Sequence, residues 1–218
     1  MKKQNKKRLW AGLAFLAAFA LWTGLVCCVD VQPIGPRGSA VGFAAFNGAF
    51  HQLTGVHWAL YTITDCLGLI PVGIALGFAA LGLTQLLQRK RLRRVDRSIL
   101  ALGGLYLAVL AAYLLFEHAA INARPVLVSG RLEASYPSST TLLALGVLPA
   151  AMLQCRARIR NAAACRAIRG ALAALTIFLV LGRLLSGVHW LSDILGSVLL
   201  SAGLVELYAF AADSPASH

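Results

Sequence analysis

The chain has 218 residues, of which 59% are hydrophobic and only 13% charged, and its formal net charge is +12. So large an apolar fraction excludes an ordinary soluble domain of this length. The positive charge comes without a zinc spacing, stacking platform or helix-turn-helix pattern, so we expect no nucleic-acid partner and contact with anionic lipid headgroups instead.

The chain begins with a basic stretch, residues 1–8, followed by an apolar segment over 9–29. This segment of about 20 residues exceeds the roughly 7–15 of a cleavable signal peptide, and no small-x-small site follows it cleanly. We therefore expect an uncleaved membrane anchor preceded by a cytoplasmic tail. The next segment, 31–57, is rich in Gly, Ala and aromatic residues and predicts a short helix in the membrane interface.

Five further apolar segments are bounded by charged or turn residues. The sequence therefore predicts an all-α fold, a single membrane-embedded domain over 1–218 with six transmembrane helices. The second segment is longer than a bilayer core of about 30 Å needs, so its first turns should project into water. The fourth is short and should borrow flanking residues or lie deep in the bundle. The six segments are 9–29, 58–87, 98–116, 141–154, 170–186 and 190–211.

The distribution of basic residues predicts the orientation. Five precede the first segment, six lie between the second and third, and five lie between the fourth and fifth, so these sixteen of the 20 Lys and Arg share one side. The positive-inside rule makes that side, with both termini, cytoplasmic. The remaining four are then extracytoplasmic: Arg37, Arg124, Arg131 and Arg183.

The most informative pattern lies before the last segment, where Arg183, His189 and Asp193 stand at fixed spacing. On a helix, Asp193 would lie one turn from His189, accept its Nδ1–H and leave Nε2 free as a nucleophile. Gly187 offers the turn that would bring Arg183 beside them, and a guanidinium suits a phosphate. The alternative is a His and an Asp that merely begin a membrane helix among lipid headgroups.

A second polar region, 117–140, contains Arg124-Pro125 and then Pro137-Ser138-Ser139-Thr140. The Ser/Thr run directly precedes the fourth segment, where it can cap a helix. The same backbone N–H groups can also bind an anion. We expect 117–140 to be an extracytoplasmic active-site loop.

These motifs together resemble the type 2 phosphatidic acid phosphatase and vanadium haloperoxidase family, in its six-span membrane branch. The family's third motif matches at Arg183, His189 and Asp193, with Gly182 in place of a Ser. Two motifs are degraded. Thr140 stands where the second has its His, after Ser139 in place of Gly, and Glu117 stands where the first has its Lys.

The resemblance implies a membrane phosphatase that acts on a phosphorylated lipid at the outer face of the plasma membrane. It assigns His189 as the nucleophile that forms a phosphohistidine and Asp193 as the residue that orients it. It implies no metal and no other cofactor. The substrate-binding residues that it implies are Arg124, Ser138, Ser139 and Arg183.

Thr140 cannot serve as the acid that protonates the departing oxygen. Since a phosphate leaves unprotonated more readily than an alkoxide, a lipid diphosphate such as undecaprenyl diphosphate should be a better substrate than a monoester. Glu133 or His118 could replace the missing acid. A weakened relative that only binds phosphorylated lipid and a small membrane transporter are the alternative functions. The lipid and the oligomeric state stay open.

Overall fold

The computed structural model describes residues 2–213, with side chains from residue 3, and is built almost entirely from helices. Within this range no strand forms. Two short 3₁₀ helices, Pro36–Gly38 and Leu92–Arg94, lie in connections. The eight α-helices, labelled in chain order, are α1 Lys2–Cys28, α2 Ala44–Thr54, α3 Trp58–Leu67, α4 Leu69–Arg89, α5 Arg97–Ala119, α6 Ser139–Arg158, α7 Ala162–Leu185 and α8 Leu191–Asp213.

Within residues 2–213, six helical segments are long and apolar enough to cross a membrane, which confirms the predicted number. They comprise α1, the consecutive pair α3 and α4, and each of the four helices from α5 to α8. The second segment spans 32 residues, Trp58–Arg89, and is interrupted at Gly68, between the end of α3 and the start of α4. The fourth does borrow from both flanks, since α6 extends from Ser139 to Arg158. The chain is a multi-pass membrane protein.

The surface of the bundle is apolar, and much of its polar content lies inside. Leu21, Leu76 and Leu107 are each more than 60% exposed, as expected of side chains that face lipid. By contrast, α8 buries the hydroxyl side chains Ser192, Ser197 and Ser201. The bundle thus has a lipid-compatible exterior and a polar interior.

The last helix, α8, is the centre of the bundle and packs against α1, α5 and α6. Its close contact with α1 depends on small residues, because a Cβ on Gly203 would stand 2.8 Å from the Leu16 side chain and 3.2 Å from the carbonyl oxygen of Gly12. Small residues that let backbones approach are a common packing device in membrane helices.

The basic loops share one end of the bundle. Asp96, just before α5, accepts hydrogen bonds from Arg89 at 2.8 Å and from Arg158 at 3.1 Å, which links the ends of α4 and α6. Arg8 pairs with Asp213 at 2.9 Å, so the beginning of α1 and the end of α8 lie there too. The sequence motifs therefore lie at the opposite end.

Candidate active site

The third motif is shaped by a tight turn between α7 and α8. Gly187 adopts φ +71°, and a Cβ there would lie 1.9 Å from the carbonyl oxygen of Gly55, so a side chain would not fit. Arg183 lies in the last turn of α7, which ends at Leu185, and His189 lies in the turn before α8 begins at Leu191. The prediction that His189 and Asp193 share a helical face is therefore wrong, because the chain is not yet helical at His189.

The contact between His189 and Asp193 runs through a third residue. The His189 Nδ1 lies 3.8 Å from Asp193 Oδ2, too far for a hydrogen bond. The hydroxyl of Ser135 bridges the gap, since its Oγ donates to Asp193 Oδ2 at 2.5 Å and lies 3.0 Å from Nδ1. Because the hydroxyl proton is committed to Asp193, Nδ1–H must be the donor to Oγ, which leaves the lone pair on Nε2.

The imidazole of His189 is arranged as a nucleophile. Burial lowers its pKa from 6.5 to about 4, so the ring is neutral at pH 7. The Nε2 atom is buried and has no hydrogen-bond partner within residues 2–213. An unprotonated, unpartnered nitrogen of this kind is available to attack an electrophile.

Asp193 is fully buried and held by several donors in addition to Ser135. The backbone N–H of Trp190 donates to Oδ2 at 2.9 Å, and Asn122 Nδ2 donates to Oδ1 at 3.2 Å. These bonds offset the cost of removing a carboxylate from water and fix its direction. Asp193 is thus connected to His189 through Ser135 and not by a direct hydrogen bond.

The two motif arginines carry donors that the protein does not use. Arg183 is 2% exposed, and its Nη2 donates to Asp65 Oδ1 at 2.6 Å and to Thr140 Oγ1 at 2.7 Å. Its Nε and Nη1 are buried without hydrogen-bond partners in the described part of the chain. The Nε of Arg124 lies 3.2 Å from Glu133 Oε2, and its Nη1 is likewise unpartnered there.

The start of α6 adds further free donors. Ser138 occupies the N-cap position, but its side chain makes no capping hydrogen bond, and its buried Oγ has no partner among the residues described. The Ser138 amide lies 3.4 Å from the carbonyl oxygen of Asp193, a long contact. The Ser139 amide belongs to the first turn, whose N–H groups have no intrahelical acceptor. The capping alternative is therefore not realised by the Ser138 hydroxyl.

Buried donors without acceptors are costly, so these unpartnered groups call for a ligand with several oxygens. A tetrahedral oxyanion such as a phosphoryl group meets that need through charge-assisted bonds. The positive charges of Arg124 and Arg183 both disfavour protonation of His189, which places them near its ring. No group of three or more His, Cys, Asp or Glu side chains within residues 2–213 is placed to hold a metal ion.

A model of the PAP2 superfamily matches residues 115–212, which contain both arginines, the bridging serine and the His–Asp pair. Over that stretch, which is slightly less than half of the chain, the sequence is similar to the PAP2 superfamily. A crystal structure described as the first transmembrane PAP2-type phosphatidylglycerolphosphate phosphatase, from Bacillus subtilis, is similar, with a TM-score of 0.60 over 92% of this chain and 94% of that one. At 16% identity this likeness shows a shared fold. No curated protein matches the chain significantly.

The helical bundle also has an apolar groove that starts at the site. Its cavity of about 580 Å³ begins beside Asp65 and Thr140 and descends between α4, α5 and α6. A second cavity of about 500 Å³ shares Ala79, Tyr106 and Leu110 with the first and continues towards Val95 at the basic end. An acyl or prenyl chain has the shape and polarity to lie in such a groove.

The structure adds three site residues to those that the sequence indicated. Ser135 bridges the His–Asp pair, Asn122 holds the carboxylate, and Asp65 pairs with Arg183. Asp65 lies in an apolar segment, where a carboxylate is in itself a signal of function. Ser135 carried no such signal, because a serine in a polar loop has many ordinary roles.

Proposed function

We propose that the protein is a membrane phosphatase that hydrolyses a lipid phosphate or diphosphate through a phosphohistidine intermediate. The observation that carries the proposal is the set of buried, unpartnered polar atoms on Arg124, Arg183 and Ser138 together with the unpartnered Nε2 of His189. The match of residues 115–212 to the PAP2 superfamily model supports the reaction class. The groove of about 580 Å³ that opens beside the arginines supports a substrate with an apolar chain.

In the proposed first step, the arginines and Ser138 bind the phosphoryl oxygens, and the Ser139 amide completes the anion site. Nε2 of His189 attacks phosphorus in line, the phosphorus–oxygen bond to the lipid breaks, and the lipid departs. The positive charge that develops on the ring is stabilised through Ser135 by Asp193. Water then attacks phosphorus, the phosphorus–nitrogen bond breaks, and phosphate is released.

We propose further that the reaction takes place on the extracytoplasmic side of the plasma membrane. The basic loops lie at the end of the bundle opposite the site, and Arg89 and Arg158 both contact Asp96 there. The positive-inside rule makes that end cytoplasmic, so the phosphorylated headgroup would be bound from outside.

Phosphate release by the purified protein in detergent tests the proposal, with phosphatidate, phosphatidylglycerophosphate and a polyprenyl diphosphate as substrates. The wild type should release phosphate from at least one, and His189→Ala should abolish the release while retaining its elution volume and helical circular dichroism. His57→Ala is the matched control, because His57 is exposed at the same end and should stay within about twofold of wild type. Substantial activity in His189→Ala would refute the proposed phosphohistidine mechanism.

Rapid quenching with a substrate labelled in the transferred phosphoryl group should trap acid-labile label on the wild-type protein. The label should be missing from His189→Ala. A protein that binds these lipids but releases no phosphate and traps no label would instead be a binding relative. Thr140 in place of the family's His is the observation that favours this second candidate.

A further inference from the structure

Thr140, which stands where the family has a histidine, lies close to a carboxyl group. Thr140 Oγ1 and Asp65 Oδ1 accept hydrogen bonds from the same nitrogen, Nη2 of Arg183, at 2.7 and 2.6 Å. Two acceptors on one donor atom lie within about 5 Å of each other, so a carboxyl group lies next to the place of the missing imidazole. We propose that Asp65 is the general acid and base of this protein.

The location of the leaving oxygen supports this assignment, which rests on the proposed phosphatase function. That oxygen joins the phosphorus, held by the arginines, to the lipid chain in the groove, so it must lie where the groove meets the site. Asp65, Gly68, Ser139 and Thr140 line that junction. Among the described residues that line the groove, only Asp65 carries a carboxyl group, and 58% of its side chain is accessible.

The contacts of Asp65 leave one oxygen available. Oδ1 is held by Arg183, while Oδ2 makes no hydrogen bond within residues 2–213. A protonated carboxyl can still accept from Arg183 through Oδ1 and present the Oδ2 proton to a neighbour. The contact with Arg183, whose guanidinium also binds the substrate in this proposal, therefore fixes the direction of the Oδ2 proton.

Substrate binding itself promotes protonation of Asp65. In the free protein the carboxylate is compensated by Arg183 at 2.6 Å. A phosphoryl group on the free Nε and Nη1 of Arg183 brings a second anion to the same cation, and adjacent like charges favour uptake of a proton. The acid thus forms from solvent when the substrate arrives.

The proton balance closes over both steps. As His189 Nε2 bonds to phosphorus, the phosphorus–oxygen bond breaks and the Asp65 proton moves to the leaving oxygen, which yields a lipid alcohol and a carboxylate. In the second step the carboxylate takes a proton from the attacking water while the phosphorus–nitrogen bond breaks. Phosphate, free imidazole and protonated Asp65 result.

Such an acid changes the expected substrate class. Because position 140 is Thr and not His, the sequence predicts a preference for diphosphates, whose phosphate leaving group needs no proton. With Asp65 as donor, the protein also cleaves lipid phosphate monoesters, whose alkoxide leaving group needs one. Glu133, on Arg124, has no comparable place on the groove lining.

The test compares farnesyl phosphate with farnesyl diphosphate in detergent, because the two share a tail and differ in the leaving group. Asp65→Asn keeps an oxygen for Arg183 but has no acidic proton. Its kcat/KM should fall about 10²- to 10⁴-fold on the monophosphate and less than about tenfold on the diphosphate. Thr140→His in the Asp65→Asn background should restore monophosphate turnover, because an imidazole there can donate the proton.

Two matched variants separate this role from others. Thr140→Val removes a contact of Arg183 without removing an acid, so it should lower both activities by a similar factor. Tyr113→Phe removes a phenolic hydroxyl from the groove lining. Any loss of kcat/KM in this variant should be similar on the monophosphate and the diphosphate.

Equal losses on both substrates in Asp65→Asn would overturn the proposal and reduce Asp65 to a residue that positions Arg183. A loss specific to the monophosphate in Tyr113→Phe, without such a loss in Asp65→Asn, would identify Tyr113 as the proton donor and overturn the proposal. If the wild type cleaves only the diphosphate, the role of Asp65 as general acid is refuted, while the proposed phosphatase function stands. A wild type without activity on either lipid, and without trapped label, would overturn both proposals.

Discussion

Removal of the Ser135 hydroxyl tests how Asp193 acts on His189. In Ser135→Ala the hydrogen bonds of 2.5 and 3.0 Å are lost, and Nδ1 is left 3.8 Å from Oδ2. The carboxylate keeps its bonds from the Trp190 amide and Asn122, so the fold should persist. The imidazole, however, loses the acceptor that fixes its tautomer.

The size of the effect follows from the bond that is lost. A hydrogen bond to a charged group contributes about 1.5–3 kcal/mol, and about 1.4 kcal/mol corresponds to a factor of ten in rate. We therefore expect kcat/KM to fall about 10- to 100-fold, with little change in KM. The assay is phosphate release in detergent under the conditions used for His189→Ala. Ser201→Ala, a buried serine on α8 that bonds Leu142 O at 3.3 Å, is the matched control.

A double mutant distinguishes a bridge from a packing role. Asp193→Asn should leave residual activity, because the imidazole remains. If Ser135 acts through Asp193, then Ser135→Ala combined with Asp193→Asn should be scarcely worse than Asp193→Asn alone. Multiplicative losses, or a Ser135→Ala variant within twofold of the wild type, would refute the bridge.

Two further predictions concern orientation and pH. On a Cys-free background, a membrane-impermeant thiol reagent should label Arg131→Cys but not Arg93→Cys in intact cells, since both positions are exposed at opposite ends; the reverse pattern would place the site in the cytoplasm. In the folded protein the pKa of His189 is about 4, below its ordinary value of 6.5. The contribution of the neutral His189 ring to the free energy of unfolding is therefore complete above pH 6.5 and is lost as the pH falls through 4. The midpoint of thermal unfolding should accordingly fall between pH 6.5 and 4 in the wild type, and by less in His189→Gln; equal falls would contradict the assigned burial of a neutral ring.

The sequence by itself determined the architecture and the main chemical groups. Hydropathy accumulates over a contiguous stretch of about 20 residues, so six spans could be recognised without tertiary information. Basic residues in loops act near the span that they flank, so they predicted which loops share an end. The spacing of Arg183, His189 and Asp193 also lies within one short stretch, and it predicted His189 as the nucleophile.

Only the tertiary structure decided how these groups are connected. Ser135 meets Asp193 across 58 residues, and Asp65 meets Arg183 across 118. No local period or spacing encodes such contacts, because they depend on how α3, α6, α7 and the loop before α6 converge. The helical i, i+4 geometry expected for His189 and Asp193 failed for the same reason. The Gly187 turn, packed against Gly55, delays the start of α8 until Leu191, so a serine from a distant loop occupies the gap.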